Sequence, residues 1–390
     1  MKTKIFRIGT VATFIGLALT SCSKTEAEEQ IITANAVLKG EITQSQTLDA
    51  TKEYILDGAL VIKSGATLTI PAGTVIKANQ GFDKYILVTQ GGKLNVEGTA
   101  EKPVRITANS TTPKAGFWGG VIINGKAKLS GDWTDTSIPQ GSTEIDSSLP
   151  YGGTTDNDNS GSIQYLVLEY TGARSSADIE HNGLTLNGVG SGTTIKNVYV
   201  YECADDGIEF FGGSVNVTNF LCVNTDDDMF DVTQGWTGTL ENCYGVWEGN
   251  FASSESDPRG VEADGNLDGA NPMHTNQSTF TITNMTINLK IAQSTDATKI
   301  MQDVVKVRRG ATATINNALV KGTGQVTDLV DLKDGKGKGI ATISLTNALT
   351  TTITGKEANI DSDNTASVVN ITDTNTGCTT DVFSWTKYSF

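Results

Sequence analysis

Along most of the chain, apolar and polar positions alternate in short runs that are broken by Gly, Asn and Asp. A period of two predicts strands with one buried face, and the 3.6-residue period of an amphipathic helix is nearly missing. One phrase recurs: apolar-x-Asn-apolar-x-apolar. It reads Ile195-Lys196-Asn197-Val198-Tyr199-Val200, then Val217-Thr218-Asn219-Phe220-Leu221-Cys222, and more loosely Leu240-Glu241-Asn242-Cys243-Tyr244-Gly245. It returns around Asn284, Asn317 and Asn347, so that the asparagines stand 22, 23, 42, 33 and 30 residues apart. Those intervals are in or just beyond the range of stacked supersecondary units whose loops vary in length. An asparagine at one place in every coil predicts a bend, where its amide bonds the backbone and the asparagines above and below.

The pattern therefore predicts an all-β chain: a single-stranded right-handed parallel β-helix, a solenoid with capped ends. A leucine-rich horseshoe would need a Leu-x-Leu frame and helices, and both are missing. Upstream, Gly65 to Ile76, Gly92 to Thr99 and Pro103 to Thr107 continue the strands broken by glycine. Residues 31 to 58 are expected to cap the N-terminal end. Phe383, Trp385, Tyr388 and Phe390 are expected to close the other, because open solenoid ends need covers.

The first residues belong to processing. Lys2, Lys4 and Arg7 precede the uncharged run Ile8 to Leu19, which is too short to span a bilayer and ends in Leu19-Thr20-Ser21-Cys22. This resembles a bacterial lipobox. The resemblance implies cleavage before Cys22 and acylation of that residue, with several chains holding the protein on a membrane. The expected organisation is a signal peptide over 1–21, an acidic flexible tether over 22–30 and the β-helix over 31–390. The acidic Glu26, Glu28 and Glu29 of the tether resemble the signal that sends lipoproteins of Bacteroidota to the outer face of the outer membrane.

The formal charge is −15, or −18 once Lys2, Lys4 and Arg7 are removed, which argues against nucleic acid as a partner. Beyond the signal no apolar stretch is long enough for a transmembrane helix. Of five cysteines, Cys203, Cys222 and Cys243 recur at 19 and 21 residues, one per coil. With no CxxC pair they read as small buried apolar residues in a stack, not as a disulfide framework.

The phrases Phe117-Trp118-Gly119-Gly120-Val121-Ile122-Ile123-Asn124-Gly125-Lys126 and Asn182-Gly183-Leu184-Thr185-Leu186-Asn187-Gly188-Val189-Gly190 resemble a poorly characterised β-helix lipoprotein family of Bacteroidota. So do Asn157-Asp158-Asn159-Ser160-Gly161, Phe211-Gly212-Gly213 and Asp226-Asp227-Asp228. The resemblance covers roughly residues 60 to 290. It implies a β-helix at the cell surface and brings no activity or catalytic residues with it.

Three constellations could carry chemistry. A 22-residue offset stacks Asp205, Asp206 and Glu209 over Asp227, Asp228 and Asp231. Coils lie ~4.8 Å apart, where two bare charges repel by roughly 3 kcal/mol at an effective dielectric of 20. A cation, a shared proton or splaying into water relieves that, and a solvated acidic ladder is the expected outcome. Asp205, Asp206, Asp227 and Asp228 are the weak catalytic candidates, with Arg259 as a possible lyase base. Secondly, Asp264-Gly265-Asn266-Leu267-Asp268-Gly269 offers oxygens at every second residue as calcium loops do, with Glu262 alongside. Asp156 and Asp158 repeat the rhythm loosely, and neither loop has the bidentate Glu of an EF-hand. Thirdly, Trp133, Trp236, Tyr244 and Trp247 lie in glycine-rich polar stretches and are candidates to stack on sugar rings. The function expected is a surface lipoprotein that binds glycan or an outer-membrane protein as an adhesion or scaffold module. A polysaccharide lyase or glycoside hydrolase is the alternative.

Overall fold

In the computed structural model, residues 30–31, 36–134, 137–176 and 179–390 are described. The expected signal peptide, Cys22 and the expected tether up to residue 29 lie outside them. The chain winds into a parallel β-helix. Nearly every strand pairs in parallel with a strand one coil away, and among the described residues the one antiparallel ribbon joins Gly141–Thr143 to Asp146–Tyr151. The right-handed winding expected of parallel crossovers is the hand in which a twisted strand packs back onto its own sheet.

A front sheet stacks Ile86–Val88, Val121–Asn124, Leu184–Asn187, Ile208–Phe211, Phe230–Thr233, Arg259–Asp264, Ile300–Arg308 and Gln325–Asp331. The other two walls come from long strands, such as Thr194–Cys203 and Asn216–Thr225, that bend in the middle. The bend is the asparagine. Asn197, Asn219, Asn242, Asn284 and Asn317 all adopt the left-handed conformation, with φ between 55° and 60°. Asparagine tolerates this better than other residues with a Cβ. From Asn219 onward, each side-chain amide donates to the oxygen of the asparagine one coil before, at 2.8, 2.9, 2.9 and 2.7 Å.

Asn347 is not on this ladder. The register slips between Ile315 and Ala318, so Leu345 lies over Ala318 and Asn347 falls beside Val320. The ladder is closed instead by the C-terminal segment, whose Thr376 and Gly377 backbone N–H groups donate to Asn317 Oδ1 at 2.8 and 3.2 Å.

Between the walls runs one apolar column. Leu184, Ile208, Phe230 and Val261 stack in register and are fully buried, and each such side chain stabilises the fold by roughly 1.5–3 kcal/mol. Trp236 lies flat on Phe210, with ring centroids 4.0 Å apart. Cys203, Cys222, Cys243 and Cys378 are buried and free. The first three sit one per coil but on different ladders, beside Thr225, Val200 and Phe220 respectively.

Both expected caps differ from what is observed. Val37–Ile42 already pairs in parallel with Glu53–Ile62, so that residues 37 to 58, within the expected N-terminal cap, form coils of the solenoid instead of a cover. The C-terminal aromatics return along a flank. Phe383 and Trp385 bury the outward apolar stripe Val167, Tyr199, Leu221 and Tyr244, and Tyr388 and Phe390 pack beside them. A ladder that presents Tyr and Leu outward on consecutive coils is an apolar patch that needs a cover.

Candidate functional site: an acidic front cleft

The 22-residue offset is the true register. Glu209 pairs with Asp231, and the backbone N–H of Asp228 donates to Asp206 Oδ1 at 2.9 Å. Outward residues of the front sheet therefore stack as Thr185, Glu209, Asp231, Glu262, Lys306 and Asp331 on successive coils. Just before these strands, Asp206 and Asp228 stack in the same way. Arg259 follows one coil on, in register with Asp303 and then Asp328.

The expectation of a solvated ladder is overturned. Asp206 is 6 % exposed, Asp228 2 % and Asp231 9 %. The ribbon Gly141–Thr143 and Asp146–Tyr151 lies over the sheet and, with Glu144, Ile145 and Tyr151, turns it into a cleft of about 410 Å³. Tyr151 is anchored there by donating its hydroxyl to Gln234 Oε1 at 2.6 Å.

Along the cleft, the charge balance changes. At its C-terminal end the carboxylates have cations. Arg308 Nε and Arg309 Nη1 donate to the two oxygens of Asp264 at 2.8 and 2.7 Å, Arg308 also pairs with Glu262, and Lys306 meets Asp331 at 2.6 Å. At the other end, no lysine or arginine among the described residues forms an ion pair with Asp206, Glu209 or Asp231. Burial pushes all three carboxyls, and that of Asp228, well above the usual range, and neighbouring carboxylates push them further. Burial, with Glu262 and Asp257 adding to it, raises Asp227 to about 8. Oxygens of Glu209, Asp231 and Asp206 lie within 4.8 Å of one another, and Asn182 donates to Glu209 at 2.6 Å. Asp228 Oδ1 is buried without any hydrogen-bond partner, and the nearest guanidinium nitrogen, from Arg259, stands 4.0 Å from its other oxygen. One oxygen each from Asp228, Asp231 and Glu262 lies within 4.8 Å of the other two.

The other expected residues are used differently. Arg259 is not available as a base. Burial disfavours its charge, but Asp228, Glu262 and Asp257 together hold the guanidinium above its ordinary value. The Asp264 loop does not gather its oxygens around one point: Asp264 is committed to two arginines, and Asn266 donates to Gln277 and accepts from the N–H of Asn271. Asp268 is exposed in a left-handed turn. Asp156 pairs with Lys128, while Asp158 accepts from Ser160, so these two are held by the polar turns themselves. Trp236, Tyr244 and Trp247 are buried to within 1 % and have no face free for a sugar, because the core and the C-terminal flank cover them. Trp133 is half-buried, its indole N–H donating to the Leu129 carbonyl at 3.0 Å.

Sequence reasoning missed Glu144, Glu180, Arg308 and Arg309 as cleft residues. Nothing local marks them; the ribbon and the later coils bring them in from far along the chain.

The profile of the pectate-lyase like beta helix domain matches residues 40–389. The chain belongs to that family. Neither a curated protein nor a solved structure matches it. Membership in the pectate-lyase-like β-helix family accounts for the coils and is consistent with a module that handles carbohydrate, while chemistry has to be argued from the cleft itself.

Proposed function

We propose that this protein is a lipid-anchored β-helix module of a bacterial cell envelope that binds glycan in the front cleft with the help of a hard divalent cation, calcium being the natural choice. The observation that carries the reading is the run Asp206, Glu209 and Asp231, carboxylates largely shielded from solvent that no described lysine or arginine pairs, with the orphaned Asp228 Oδ1 beside it. Asp206, Glu209 and Asp231 bring one oxygen each to within 4.8 Å of the other two, and such oxygens are the ligand type calcium takes. A cation there relieves the stacked charges and leaves coordination positions for sugar hydroxyls or carboxylates. Anchoring rests on Cys22 of the lipobox-like segment, and the acidic tether supports the outer face of a Bacteroidota outer membrane. An envelope protein seated on the same cleft is the competing ligand.

The test uses the full chain in a sugar-free detergent, screened against polysaccharides with calcium and with chelator, reading both binding and product release. Calcium-dependent binding without products is expected. Shortened or unsaturated products would turn the reading to cleavage, for which the stacked Glu209 and Asp231 pair is the specific ground. No calcium-dependent binding to any glycan would sink the proposal. Replacing Cys22→Ala is expected to abolish incorporation of labelled fatty acid; continued labelling would remove the anchor.

A further inference from the structure

A second cleft, of about 1280 Å³, opens on another part of the surface, at the C-terminal ends of the long strands. There the chain sets three residues in the left-handed conformation on successive coils: Tyr170 at φ 64°, Glu202 at 58° and Asn224 at 57°. At asparagine this conformation is easy, but at bulky tyrosine and at glutamate it is a strain that the surrounding coils must sustain. The strain gathers a mixed surface. Tyr170 and Tyr201 meet edge to face with ring centroids 5.9 Å apart, and both remain half-buried at the cleft. Asn224 holds two carboxylates, donating to Glu202 Oε1 at 2.9 Å and to Glu248 Oε2 at 3.1 Å. The backbone N–H of Glu248 returns a bond to Asn224 Oδ1 at 2.9 Å, so the amide cannot turn away.

We infer that this cleft is a second glycan site, for a neutral chain of pyranose rings, that works without a metal ion. The chemistry selects the class. Tyrosine rings offer flat apolar faces to the C–H side of a sugar. A carboxylate has about four lone-pair positions, so Glu202 and Glu248 can accept from sugar hydroxyls beyond the bonds from Asn224 and, at Glu248, from the Tyr388 hydroxyl. Glu202, Asp226 and Glu248 outnumber Lys114 and Arg174 along the cleft, and Arg174 is held by Asp226 and Glu255, so the balance of charge disfavours an anionic chain. The volume exceeds the ~300–1,000 Å³ of a single small-molecule pocket and suits several linked rings. The site stands apart from the front cleft and does not depend on the cation proposed there.

Saturation-transfer NMR and calorimetry on the full chain in sugar-free detergent, with chelator throughout, test this using cellohexaose, mannohexaose and a galacturonate hexamer as probes. At least one neutral hexamer is expected to bind while the galacturonate does not. Tyr201→Ala is expected to weaken binding at least ten-fold, Glu202→Gln several-fold, and Tyr201→Phe hardly at all. Failure of both neutral hexamers to bind in chelator would overturn the inference. So would unchanged affinity in both Tyr201→Ala and Glu202→Gln. Should Tyr201→Ala melt at a much lower temperature, the near-isosteric Glu202→Gln alone decides. Chelator separates this site from the front cleft, since loss of calcium-dependent binding leaves the present expectation intact.

Discussion

The asparagines of the bend and the carboxylates of the front sheet are stacked by the same parallel register, one per coil, yet their energetics are opposite. An amide carries a donor and an acceptor, so Asn219, Asn242 and Asn284 each give one bond and receive one, and the column satisfies itself. An ionised carboxylate only accepts. Glu209 over Asp231, and Asp206 beside Asp228, must find donors elsewhere, keep protons or attract a cation. The first column is a device for folding. The second is a burden on folding, and such burdens concentrate where proteins bind or react.

Breaking the self-satisfied column should have the largest effect. Asn242→Asp keeps the size and the tolerance for a left-handed backbone but removes the amide donor to Asn219 Oδ1. A loss of about 2 kcal/mol is expected in urea unfolding, the magnitude of an acceptor left without its donor. An unchanged midpoint would mean that the ladder contributes little.

The reverse substitution should sharpen the contrast. Asp231→Asn inserts an amide into the acidic column beside Glu209 and relieves one like-charge contact. We expect a gain of about 1–2 kcal/mol at pH 8 in chelator, of the order set by one such contact, together with a weaker response to calcium. Destabilisation at pH 8 would show that the carboxylate is already neutralised by some other means.

The pH dependence has a definite sign. A carboxyl whose folded value is raised binds more protons folded than unfolded, so stability falls as pH rises from the ordinary value to the folded one. For Asp227 that window runs from 3.8 to about 8, and the buried carboxyls beside it act in the same direction. The metal-free protein should melt at a lower temperature at pH 8 than at pH 5. Calcium at ten times its dissociation constant should restore about 1.4 kcal/mol at the higher pH. Melting curves indifferent to both would dismiss the front cleft as a cation site.

The smallest effect is expected at Asn347, which sits off the bend and only accepts a local bond from the Leu349 N–H at 3.1 Å. Asn347→Ala should stay within about 0.5 kcal/mol, as for surface positions without a special role.

By itself the sequence determined the winding. A parallel coil repeats its side-chain environment at each turn, so the alternation around Asn197, Asn219 and Asn242 and the 22-residue offset of the acids were readable as periodicity. What periodicity does not carry is which face of a ladder is covered, and by what. Trp236 and Tyr244 look alike as aromatics among glycines, yet one faces the core and the other is buried by a segment some 140 residues later in the chain. Asp264 shows a ligand rhythm, but Arg308 and Arg309 reach it only because the next coil of the front sheet lies beside it. The acidic ladder itself was legible; its dryness was not. A ribbon from another coil walls in Glu209 and Asp231, and burial decides whether a stack of carboxylates is a solvated edge or a charged cleft.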